Sequence, residues 1–128
     1  MQDKRLFEYA VIRIVPMVER EEFLNVGVVL YCKDLRFLGV RWQIDIPRLS
    51  AFAPKLDIAT IEGYLQAFEQ ICMGGKAGGP IGQLPPAERF RWLTATRSTV
   101  VQTSKVHPGF CLTSPTDTLE RLFQQLVQ

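Results

Sequence analysis

Cysteine is scarce here and falls into no pattern: Cys32, Cys72 and Cys111 stand about forty residues apart, with no CxxC and no histidine at metal-ligand spacing. Such an odd, scattered set excludes a disulfide scaffold and a zinc module. It reads as buried thiols in a reducing compartment. Histidine occurs once, at His107. Net charge is also small, +2 from 15 basic and 13 acidic residues, too little for a chain that lives by coating nucleic acid. Long apolar runs are missing. The longest, Val26 to Cys32, is far short of the ~20 residues that cross a bilayer. In the opening MQDKRLFEYAVIRIVP, Glu8 and Arg13 break what would be the apolar centre of a signal peptide, so a cytoplasmic location is expected. What is present is 128 residues with 47% hydrophobic content, enough for one globular domain over residues 1–128 that folds without a metal or cofactor.

Phe7 to Val15 is β-branched and aromatic and ends at Pro16, which lacks a backbone donor. Both of its faces are largely apolar, so the strand is expected to be covered on both sides, with Arg13 as the anomaly. After a charged turn at Glu19–Glu22, strands are expected over Phe23–Cys32 and Leu35–Trp42, joined tightly at Lys33-Asp34. Asp45 caps a short helix with Pro47 in its first turn, and Pro54 ends it. Asp57 caps the strongest helix, with Ile58, Ile61, Leu65, Phe68 and Cys72 as its stripe and Gly74-Gly75 as its close. Gly74 to Pro86, GGKAGGPIGQLPP, reads as a loop, either a plain connection or a flap over a ligand. A short helix is expected over Pro86–Thr96, a fourth strand over Thr99–Ser104, and a fifth over Phe110–Thr113 after a His107-Pro108-Gly109 turn. Ser114 caps a last helix carrying Leu119, Leu122, Phe123, Leu126 and Val127. The direct hairpin connections give an α+β class: a mainly antiparallel sheet of four to five strands with about four helices packed on it.

Chemistry is sparsely marked. The glycine stretch fails as a phosphate loop, because Ala77 follows Lys76 without a hydroxyl and position 70 is Gln rather than the leading Gly. The segment Arg97–Gly109 is more informative. Thr99, Val101, Thr103 and Lys105 alternate with Ser98, Val100, Gln102 and Ser104, so one face presents hydroxyls and an amide between Arg97 and His107. That ledge suits an anion, a polar ligand or a partner protein, and its plain alternative is a solvated edge strand ending in a turn histidine. Arg13 and Asn25 are the other polar residues in buried strands, with Gly27 expected to leave room for the guanidinium and Glu8, Glu19 or Glu22 to pair with it. Arg89, Arg91, Arg97 and Lys105 against Glu88 make Leu84–His107 net +3, with Phe90 and Trp92 interleaved, which is the alternative reading as a nucleic-acid surface. Phe90 and Leu93 are expected to face the core. A hydrolase or transferase using His107 with Cys111, Ser104 or Thr103 is the third reading, and no carboxylate lies between Glu88 and Asp117 to orient the imidazole.

The strings YAVIRIVPMVEREEFLNVGVVLY, GGPIGQLPPAERFRWLTATRSTVVQTSKVHPGFC and TDTLERLFQQLV resemble the bacterial family catalogued as domain of unknown function 3037, from about Phe7 to Val127. The resemblance implies a small stand-alone cytosolic protein of no established activity, encoded beside a HipA-like kinase and acting as its accessory partner. It puts weight on Asn25, Gly27, Arg97, Ser98, Thr99, Gln102, Thr103, Ser104 and His107. Lys105 and Pro108 depart from the family pattern, where Pro and Thr are expected.

Overall fold

The computed structural model describes residues 5–111 and 113–128, with Cys111 described by its backbone only. Among them, the strands are β1 Arg5–Ile14, β2 Leu24–Cys32, β3 Phe37–Trp42, β4 Val101–Thr103 and β5 His107–Cys111. The helices are α1 Ile46–Phe52, α2 Ile58–Met73, the single turn α3 Gly79–Gly82, α4 Pro86–Leu93 and α5 Pro115–Leu126. The α+β class holds. All pairings are antiparallel, in the order β3-β2-β1, with β4 and β5 lying end to end along the far side of β1.

The two apolar faces of β1 bury against two helical layers. Ala10, Ile12 and Ile14 join Leu49, Ile61, Leu65, Phe90 and Leu93 from α1, α2 and α4. Phe7 on the other face joins Leu119, Leu122 and Phe123 of α5. A bulge in β2 keeps this division consistent. Gly27 pairs with Ile12 and Asn25 with Arg13, so Val26 is the extra residue, and the parity of β2 flips there. Leu24 and Val26 thereby rejoin Val29 and Tyr31 in one core, while Asn25 turns to the α5 face and donates its Nδ2 to the Leu126 carbonyl at 3.2 Å.

The caps fall where the side chains dictate. Asp45 accepts from the Arg48 N–H, Asp57 from the Ala59 N–H, and Ser114 from the Asp117 N–H. Other expectations need correction. Lys33-Asp34 is not a two-residue connection: the turn runs over residues 33–36, closed by Arg36 N–H to the Lys33 carbonyl, and β3 starts later, at Phe37. The fourth helix ends at Leu93, and the fourth strand contracts to three residues. His107-Pro108-Gly109 is not a turn; it is the start of β5, paired with Tyr9, Glu8 and Phe7. The expected strand end at Thr113 is not reached, since β5 closes at Cys111, and Leu112 lies outside the described residues. The glycine stretch is not a structureless loop. It coils into a 3-10 turn at Lys76–Gly78 and then α3, tied by Gly75 N–H to the Gly82 carbonyl at 2.9 Å. Gly82 permits this, since a Cβ there would sit 2.6 Å from the Gly75 oxygen.

The real turn between β4 and β5 occupies residues 104–106, and Ser104 makes it workable. Its N–H donates to the Val11 carbonyl at 2.8 Å, and its own carbonyl has already left the ladder. The Ser104 hydroxyl replaces that carbonyl, accepting from the Val11 N–H at 2.9 Å and donating to the Lys105 carbonyl at 2.9 Å. Ser104→Ala would strand a buried donor on the central strand and is expected to cost about 1–3 kcal/mol in urea unfolding. A loss under about 0.5 kcal/mol would show that water reaches Val11.

Candidate functional site

The α2 stripe that packs on the sheet is Ile61, Leu65 and Cys72. A second stripe at the same spacing, Tyr64, Ala67, Phe68 and Ile71, looks past the sheet edge and walls a groove of about 480 Å³. Trp92 and Leu93 at the end of α4 close it, and Val100, Val101 and Thr103 form its floor. Tyr64 and Trp92 remain exposed. Apart from Arg97 and the polar residues of the edge strand, the lining is apolar, and it contains no carboxylate.

The floor is an open sheet edge. Val15 N–H donates to the Val100 carbonyl, and Ser104 N–H donates to the Val11 carbonyl, so even-numbered residues of this stretch bond toward β1. Val101 and Thr103 therefore turn their N–H and C=O groups outward. The Val101 carbonyl takes the Thr99 hydroxyl at 2.8 Å. In β5 the same alternation puts Pro108 outward, where its missing N–H blunts the edge. In β4, among the described residues, only the Val101 carbonyl is capped, by Thr99, and the Val101 and Thr103 N–H groups and the Thr103 carbonyl stay open. The Thr103 Oγ1 is buried on the groove floor and has no hydrogen-bond partner.

The core of the segment, Val101–Thr103, is extended and in the main sheet, but Arg97 and His107 do not bracket one ledge. Arg97 lies in the groove, on the α2/α4 side. His107 pairs with Tyr9 and packs its ring on it at 5.4 Å, on the α5 side. Tyr9 and the Ile14 partner of Val101 are five residues apart along β1, roughly 16 Å. The cause is the excursion at 104–106, which breaks the alternation that would have carried one face through to the histidine. His107 is exposed. Ser98 is exposed in the link, and Ser104 is spent on the ladder.

Arg13, Asn25 and Gln102 do come together, in one cross-strand row on the α5 side. The carboxylate expected beside Arg13 is not there. The ion pairs among the described residues join Arg20 to Glu22, Arg41 to Glu120 and Arg91 to Glu8. Arg13 instead lays its guanidinium over Phe23, 3.8 Å from the ring centre, with Nε buried and unpartnered. Burial pulls its pKa below the ordinary arginine value. Gly27 does not make room for it; Gly27 sits on the opposite face, where a Cβ would meet Trp42 at 2.8 Å.

The basic residues of the nucleic-acid reading are largely engaged. Arg89 donates to the carbonyls of Leu84, Ile71 and Cys72, tying α4 to the end of α2. Gly74, at φ +81°, leaves the space this needs. Arg91 is paired with Glu8, and Phe90 and Leu93 are buried as expected. Lys105 is exposed. Burial pushes the Cys72 thiol up to about 12, so it stays protonated and inert at neutral pH. Cys32 is also buried; the expectation for the Cys111 thiol lies outside the described residues. Among the described residues no cluster of His, Cys, Asp and Glu could hold a metal, and no helix is long and apolar enough to cross a membrane.

The groove was missed in the sequence because Tyr64, Ala67 and Ile71 flank the core stripe and read as its margin. Their three- and four-residue spacing was the available signal.

Fold and groove together define an α+β domain whose antiparallel sheet leaves the edge of β4 beside an apolar helix face. The chain belongs to the family described as Protein of unknown function (DUF3037), whose sequence profile matches residues 9–127. No curated protein and no solved structure matches it.

Proposed function

We propose that this chain is a binding module that receives an extended segment of a protein partner as an added strand on β4. One observation carries the reading: the outward N–H groups of Val101 and Thr103 and the Thr103 carbonyl border the α2/α4 groove. An added strand satisfies that edge, and its alternate side chains enter the groove between Phe68 and Trp92. Backbone pairing supplies affinity with little sequence demand, and the groove selects apolar residues at every second position. A HipA-like kinase, the partner implied by the family resemblance, is the proposed source of the segment, in keeping with a cytoplasmic accessory role.

Selection of random heptapeptides, displayed as N-terminal fusions, on the immobilised full-length chain tests this. Enriched peptides are expected to alternate apolar and polar residues with period two. Sequences enriched at helical spacing, or none enriched over an unrelated protein, would overturn the reading.

A further inference from the structure

We infer that the segment seated on β4 carries an aspartate or glutamate side chain that pairs with Arg97, an inference that rests on the strand-addition reading above. Arg97 is the cation of the groove, and none of the ion pairs among the described residues includes it. Its guanidinium lies over the Trp92 ring, 4.4 Å from the centre. Nη1 donates to the carbonyls of Leu93 at 3.1 Å and Ala95 at 3.3 Å, and Nη2 donates to the Trp92 carbonyl. Those bonds hold the group to the end of α4 and use two of its three nitrogens, while Nε donates to none of these carbonyls.

The carbonyls at the end of α4 offset the charge only in part, because a helix C-terminus presents roughly half a negative charge. The remainder faces apolar walls, where a charge-assisted hydrogen bond is stronger than in water and a basic segment is repelled. Position decides the source of the carboxylate. Arg97 is held to the end of α4, in the helical layer above the sheet, so it meets a side chain rising from the added strand. A chain terminus would lie in the plane of the sheet, below it.

The same displayed library, whose peptides have no free C-terminus, tests this on the full-length chain and on Arg97→Gln. On the unaltered chain, one acidic residue is expected at a fixed offset from the alternating apolar positions. In the synthetic, C-terminally amidated form of the best peptide, replacing that residue by its amide should weaken binding about tenfold or more. Against Arg97→Gln the same replacement should change affinity less than about twofold. Should Arg97→Gln fail to fold, salt titration of the unaltered chain decides. The acidic peptide is expected to weaken with added salt, and its amide counterpart is not. Alternating peptides without an acidic preference would overturn the Arg97 pairing and leave strand addition standing. Binding that requires a free C-terminal carboxylate in the synthetic peptide would overturn the side-chain source. A library that enriches nothing overturns both proposals.

Discussion

Phe123→Ala is expected to lower the free energy of unfolding by about 3–5 kcal/mol, the scale of emptying a fully buried aromatic site. Phe123 is 0% exposed and is the centre of the α5 layer, against Phe7, Val28, Leu30 and Cys32. Arg41 covers its ring at 4.3 Å and is itself held by Glu120, so truncation also removes a cation–π contact. α5 is the element that covers this face of the sheet, so little can collapse into the space. Against a typical total of about 5–15 kcal/mol, such a loss places the variant close to unfolding at room temperature. Urea denaturation measures it. A loss below about 1 kcal/mol would mean that the α5 layer is a loose cover rather than half of the core.

Thr103→Pro is expected to weaken peptide binding about tenfold or more while changing stability by no more than about 1 kcal/mol. The Thr103 N–H points away from β1, so proline there breaks no ladder bond to the sheet. The preceding residue, Gln102, is already extended, as a residue before proline prefers. The ring instead removes an outward donor and fills the place of the partner's carbonyl. Thr103→Val separates this from any effect on the groove floor. It deletes a hydroxyl that has no partner, so it should be neutral or slightly stabilising and should bind normally. Titration of the selected heptapeptide against both variants measures the difference. Equal affinity for Thr103→Pro and the unaltered chain would place the peptide somewhere other than β4.

Much of this architecture is legible in residue patterns. The caps at Asp45, Asp57 and Ser114, the two-sided burial of β1 and the core stripes of α2 and α5 follow from local periodicity and capping chemistry, which act over a few residues. What escaped depends on distant pairing. The β2 bulge moves Asn25 and Gly27 to opposite faces, and only the partner strand reveals it. The serine that reads as a ligand hydroxyl is committed to Val11, ninety-three residues away. The glycine stretch reads as loop because it lacks side chains, yet that lack is what lets its turns pack backbone on backbone. The spacing of Tyr64, Ala67 and Ile71 marks a second stripe on α2, but that this stripe overhangs β4 depends on tertiary packing that no local pattern states.

Hydrogen exchange at two amides tests strand addition most directly. On saturating the full-length chain with the selected heptapeptide, the Val101 and Thr103 amides should become slower to exchange by about tenfold or more, because their outward N–H groups gain acceptors. Unchanged exchange at both, with the peptide demonstrably bound, would contradict it.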